Sequence, residues 1–172
     1  GKVRKINAQA IHSRLEQNDV VLISPLGYSP TGEIFNLTME NAATEVAIAL
    51  SAEKLIFLLD TLDTVATSAN NPEALARELT VAESKSLLEN KAAATSDLLS
   101  GEIRSSLRCA IKACETHVTR THLISRHSDG AILQELFTHD GIGWMISQET
   151  LQALRKARIE DVGGILQLIE PL

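Results

Sequence analysis

Short continuous apolar runs alternate along this chain with stretches where apolar residues recur every three or four positions. The first such spacing, over residues 8–16, sets Ile11 and Leu15 on one face and predicts a helix. Val20-Val21-Leu22-Ile23-Ser24, closed by Pro25, is an uninterrupted run that predicts a strand buried on both faces. Ser29-Pro30-Thr31-Gly32 puts proline and glycine where the turn of a hairpin over 26–35 needs them. Thr38 is placed to cap a helix whose apolar face continues through Val46, Ala49 and Leu50. Lys54-Leu55-Ile56-Phe57-Leu58-Leu59 is the clearest strand, and Asp60 stands at its carboxyl end, the edge where open α/β sheets hold ligands. Beyond it the pattern predicts a polar loop over 61–72, helices over 73–78 and 81–89, a small-residue loop over 92–101 and a helix over 103–115. A strand over 121–125, a helix over 130–137, a short strand over 143–147 and a helical tail from Glu149 follow. Strands with apolar cores, separated by helices, predict an α/β fold with a mostly parallel sheet and helices on both faces.

Composition narrows the function classes. Apolar residues make up 44% of the 172 and aromatics only 3%. That balance suits helices packed on a sheet better than a β-sandwich or an aromatic platform for nucleic acid. A net charge of -6 argues against a nucleic-acid backbone or an anionic membrane as partner. No apolar run is long enough to cross a bilayer, and Gly1-Lys2-Val3-Arg4-Lys5 lacks the apolar core of a signal peptide, so a cytoplasmic location is expected. Cys109 and Cys114 stand on different faces of one predicted helix and read as reduced core residues. His12, His117, His122, His127 and His139 show no metal-ligand spacing, and no metal is expected.

The most informative stretch is Glu135-Leu136-Phe137-Thr138-His139-Asp140-Gly141-Ile142-Gly143, where an amphipathic helix ends in a carboxylate and runs into a loop with two glycines. Glycines so placed let main-chain groups approach a small ligand closely. Glu135 adds a carboxylate able to pair with a guanidinium, so the combination suits an amino acid with a basic side chain. The same spacing also fits an ordinary helix stop, with Glu135 a solvated residue at the helix end and Gly141 and Gly143 plain turn residues.

A resemblance sharpens this expectation. Ser29-x-Thr31-Gly32-Glu33-x-Phe35-Asn36-Leu37-Thr38, Ala52-Glu53-Lys54-Leu55-Ile56 and the segment from Leu133 through Gly143 resemble the second half of an amino-acid-kinase domain, specifically that of bacterial N-acetylglutamate synthases. The tail Arg155-Lys156-Ala157-Arg158-Ile159-Glu160-Asp161-Val162-Gly163-Gly164-Ile165 resembles the linker and first helix of the acetyltransferase domain that follows in those synthases. Acetylglutamate kinases share the fold but lack that extension. The resemblance implies a C-terminal half of a kinase-like regulatory domain over 1–154, and the start of an acetyltransferase domain over 155–172. An apolar helix that stops at Pro171-Leu172 fits a chain that is part of a longer polypeptide.

In that family the full-length enzyme transfers an acetyl group from acetyl-CoA to glutamate, the first step of arginine biosynthesis, and the kinase-like domain binds L-arginine and helps build a cytoplasmic hexamer. The resemblance therefore implies a regulatory module with no cofactor or catalytic residue of its own, with acetyl-CoA and glutamate used downstream. It also implies an arginine site formed by Glu135, Gly141, Ile142, Gly143, His122 and Thr138, with carbonyls of Thr138 or Ile142 as acceptors. His122 reads equally as a satisfied buried histidine, and Ser125 is a weaker candidate. Trp144 stands where relatives usually carry threonine, and either stacks on a guanidinium or fills the core.

Phosphoryl transfer is not expected. It requires a lysine on the phosphates and a carboxylate to organise the site. Active kinases of the family carry Asn-x-Asn-Ala-Asp and Gly-Gly-Met-Ile-Pro-Lys where this chain has Asn36-Leu37-Thr38-Met39-Glu40 and Gly101-Glu102-Ile103-Arg104-Ser105-Ser106. The guanidinium of Arg104 is a poor replacement for a compact ammonium. Asp60 then becomes a loop anchor or cap, and Glu78, Glu83 and Glu89 a solvated face. An acetylglutamate kinase and a structural assembly domain without ligand binding remain the alternatives.

Overall fold

The computed structural model describes residues 1–62, 78–89, 99–138 and 141–148. Helix α1 (Ala8–Leu15) opens where Asn7 Oδ1 accepts the Ala10 amide. Strands β1 (Leu26–Tyr28) and β2 (Ile34–Asn36) form the antiparallel hairpin expected from the Pro-Thr-Gly turn, with Gly32 at φ +87°. Helix α2 (Met39–Ala49) follows with Thr38 at its N-cap position, but the hydroxyl makes no capping bond and accepts instead from Asn41 Nδ2 at 2.5 Å. Strand β3 (Lys54–Leu59), strand β4 (Glu78–Thr80), helix α3 (Val81–Glu89), helix α4 (Gly101–Thr116), strand β5 (Arg120–Ser125), helix α5 (Ala131–Phe137) and strand β6 (Trp144–Ser147) complete the order.

Helix α4 organises the core because its apolar residues repeat at helical spacing. Ile103, Leu107, Ala110 and Ala113 are buried along one stripe. Against it lie Leu55, Phe57 and Leu59 of β3, Leu123 of β5, and Trp144 and Ile146 of β6. Alternation along a strand then places His122 and Ile124 on the opposite face of β5. Helix α5 meets that second face, where Glu135 reaches His122. Helices therefore flank both faces, as the apolar pattern predicted.

The sheet runs in the order β3-β5-β6-β4. β3 with β5 and β4 with β6 are parallel, whereas β5 and β6 are antiparallel, with Leu123 opposite Trp144.

Three expectations are corrected. Residues 20–24 form no strand: they pair with nothing among the described residues, and Val20 and Leu22 are 94% and 97% exposed. An apolar run marks a segment able to be buried, but pairing needs a neighbour that the local pattern cannot name. Glu78 ends no helix; it starts β4, held by non-local pairing with Met145 of β6. Glu83 is more than a solvated charge. Its Oε2 accepts the Thr80 amide at 2.7 Å while Thr80 Oγ1 accepts the Glu83 amide at 3.1 Å, a reciprocal cap on α3. Helix α4 also starts at Gly101, slightly earlier than its apolar stripe. The segments predicted over 63–77, 92–98 and from Glu149 onward lie outside the described residues.

Both cysteines are free and buried, as expected. Burial pushes both thiols above their ordinary range, against the pull of hydrogen bonds from Thr44 at Cys109 and Thr121 at Cys114. Ser100 caps α4 by accepting the Ile103 amide at 3.3 Å, and its hydroxyl shares a 2.6 Å hydrogen bond with Thr61. Ser100→Ala is expected to cost about 1 kcal/mol in a urea melt. An unchanged midpoint would show that the cap is dispensable.

Candidate functional site

Of the residues singled out from the sequence, His122, Glu135, Gly141, Ile142 and Gly143 meet on the second face of the sheet. Glu135 sits near the end of α5, and its carboxylate is turned inward with the side chain 4% exposed. Oε2 accepts the Ile142 amide at 2.7 Å and the Gly143 amide at 3.0 Å. Oε1 accepts from His122 Nδ1 at 2.7 Å. One side chain thus ties α5, the glycine loop and the central strand β5.

The glycines are required by sterics. Gly141 has φ +57°, and a Cβ there would lie 2.7 Å from Glu135 Oε2. A Cβ on Gly143 would overlap the Leu123 carbonyl and lie 2.5 Å from Ile124 Cγ2. At Gly143 the loop therefore lies directly on β5 with no side chain between them. Thr138 ends α5, its hydroxyl donating to the Gln134 carbonyl at 2.6 Å. His139 and Asp140 lie outside the described residues.

Burial by itself would raise the Glu135 pKa. The His122 hydrogen bond and the Ile142 and Gly143 amides outweigh it, so the net shift is downward. The carboxylate is held ionised at neutral pH. His122 Nε2, on the far side of the ring, is buried without a hydrogen-bond partner among the described residues.

Trp144 does not join this corner. It is buried in the core cluster beside Leu123 and Ile146, on the sheet face covered by α4. Of its two possible roles, filling the core is the one the packing shows. Ser125 Oγ accepts the His127 amide at 3.1 Å, a local bond at the end of β5.

A second polar cluster closes the carboxyl edge of β3 and β5. Asp60 Oδ1 pairs with Arg126 Nε, and His127 Nε2 lies 3.1 Å from the same oxygen, so Asp60 is the anchor anticipated for it. The sequence assigned no role to Glu102, yet its carboxylate accepts the Asp60 amide at 3.1 Å, the Thr61 amide at 3.1 Å and the Thr61 hydroxyl at 2.8 Å. Burial opposes ionisation there. The Thr61 hydroxyl, both amides and the nearby Arg126 charge prevail and lower its pKa. A glutamate two residues after the capping serine was the available signal, because anions collect at helix starts. Among the described residues, no group of His, Cys, Asp and Glu is arranged to hold a metal, and no helix is long and apolar enough to cross a membrane.

Known proteins share this architecture. The chain is 44% identical over all 172 residues to the amino-acid acetyltransferase of Escherichia coli and spans 38% of that protein. It is also 44% identical over the same span to the amino-acid acetyltransferase of Ralstonia nicotianae, covering 36% of its length. Among solved structures, N-acetylglutamate synthase from Neisseria gonorrhoeae complexed with coenzyme A and L-arginine matches with a TM-score of 0.74 and 36% identity, over 98% of this chain and 37% of that one. Carbamate kinase from Giardia lamblia bound to AMP-PNP matches at a TM-score of 0.61 and 16% identity, covering 86% of this chain and 51% of that chain, a likeness of fold alone. The chain thus spans little more than a third of the acetyltransferases it resembles. The amino acid kinase family matches residues 1–125, nearly three quarters of the chain, and with the mixed sheet and its two helical layers this shows that the protein belongs to the amino acid kinase family.

Proposed function

We propose that this chain is the arginine-sensing part of an N-acetylglutamate synthase, the enzyme that acetylates glutamate from acetyl-CoA at the start of arginine biosynthesis. The effector is L-arginine, bound where Glu135, His122 and the Gly141-Ile142-Gly143 loop converge, with Thr138 at the adjoining end of α5. That convergence carries the reading: strand β5, helix α5 and the glycine loop close on one carboxylate in a chain 44% identical to amino-acid acetyltransferases. Residues 1–154 are the C-terminal half of the kinase-like regulatory domain, and 155–172, outside the described residues, lead into the acetyltransferase domain. The complete protein is cytoplasmic, assembles as a homo-oligomer, a hexamer in this family, and performs its chemistry in the acetyltransferase part. This segment is regulatory and holds no cofactor.

The kinase alternative has less support. The amides at the carboxyl edge of β3 are engaged by Glu102, and Arg104 Nε donates to the Leu99 carbonyl at 3.2 Å. Titration calorimetry with L-arginine should show saturable binding. Silence at millimolar arginine would overturn the sensing role, and turnover of ATP with N-acetylglutamate would restore the kinase.

A further inference from the structure

A cleft of about 680 Å³ opens between the hairpin β1–β2 and residues 1–6, and it shares no lining residue with the Glu135 corner. Its size is that of a small-molecule site. The Gly1 nitrogen donates to the Asn36 carbonyl at 3.1 Å and ties the first segment to β2. Lys2, Arg4 and Lys5 line the cleft from that segment, and Tyr28, Phe35 and Leu37 line it from the hairpin. No aspartate or glutamate lines it. Glu33, the acidic residue of the hairpin, accepts the Thr31 hydroxyl at 3.3 Å and stands outside the lining.

This charge runs against the character of the chain. The net charge is -6, yet the first acidic residue is Glu16. Arg14, Lys54, Lys85, Lys112 and Arg126 each pair with a carboxylate, whereas Lys2, Arg4 and Lys5 pair with none among the described residues. Three uncompensated cations along one concave wall focus a positive potential into it. We propose that this cleft binds a nucleotide-sized polyanion, with phosphate groups on Lys2, Arg4 and Lys5 and a planar ring against Tyr28. The fork of Arg4 matches two phosphate oxygens, and the lysines supply point charges beside it. Tyr28 is 71% exposed and offers the aromatic surface on which such a ring stacks. The acidic excess over the rest of the chain repels a long nucleic acid, so a single small molecule is the ligand.

Calorimetric titration of the 172-residue chain with adenosine 3′,5′-bisphosphate, in the absence of arginine, tests this. Binding should be saturable, weaken as salt is added, and exceed that of adenosine or of pyrophosphate alone. Arg4→Ala should weaken it roughly 10-fold or more. Tyr28→Ala should weaken the bisphosphate about 5-fold or more and leave pyrophosphate unchanged. Both side chains are exposed, so neither change removes a core contact. Arg126→Ala, at the carboxyl edge of the sheet, should leave the affinity as it was. Coenzyme A and ATP in parallel titrations identify the source: the tighter of the two carries the nucleotide that this cleft meets.

Absence of bisphosphate binding at low salt overturns the proposal. So does affinity that survives Arg4→Ala but falls with Arg126→Ala, which would put the ligand at the edge of β3 and β5. Pyrophosphate binding as tightly as the bisphosphate removes the ring from the site, and the nucleotide class falls with it. None of these outcomes bears on arginine, whose corner is titrated separately.

Discussion

Glu135→Ala is expected to destabilise the chain by about 3–4 kcal/mol at neutral pH, because it strips the acceptor from three inward-facing donors at once. The Ile142 amide, the Gly143 amide and His122 Nδ1 all end on this carboxylate. Methyl truncation removes the acceptor that these three donors share among the described residues. The effect should depend on pH in one direction. The folded-state pKa of Glu135 lies below its ordinary value, so the ionised form favours the folded state above the unfolded pKa. That contribution disappears as the pH falls through the folded pKa. Urea melts of the parent chain and the variant should therefore differ most near pH 7 and converge in acid. An equal gap at both ends would mean that the carboxylate charge plays no part in holding the loop.

Gly143→Ala is expected to lower the melting temperature by roughly 6–12 °C, the consequence of about 3 kcal/mol of overpacking. The added methyl meets the Leu123 carbonyl and Ile124 Cγ2, and neither residue has room to give. Leu123 and Ile124 are fully buried, and β5 is bonded to β3 on one side and β6 on the other. Relief requires the loop to lift, which lengthens the Gly143 contact with Glu135 and loosens the corner around His122. Calorimetric scanning decides the matter: a midpoint within about 2 °C of the parent would show that the loop has slack absent from this structure.

The two predictions share a cause. At Gly143 no side chain stands between the loop and β5, so the glycine allows the close approach and Glu135 accepts the Ile142 and Gly143 amides. Removing either half should disturb the other, and the double variant should cost less than the sum of the two single changes. If the effector reading holds, arginine binding should weaken in both, since both act on the position of one loop relative to His122.

Local pattern determined much of this protein. Helical spacing in α4, the continuous apolar run of β3 and the Pro-Thr-Gly turn each specify their elements through short-range sterics and the period of their apolar residues. Glu135 and its two glycines were legible as a candidate corner from residue type and spacing, and the structure brings them together. Only the tertiary structure decided the rest, because pairing and burial depend on residues far away in sequence. The exposed run over 20–24, the β4 strand at Glu78, the antiparallel β6 and the clasp of Glu102 on the edge of β3 each turn on a neighbour that no local window contains. The same holds for the direction Glu135 faces. Its chemistry was readable from residue type, but the inward turn onto His122 and the loop amides exists only once β5, α5 and the loop are packed together.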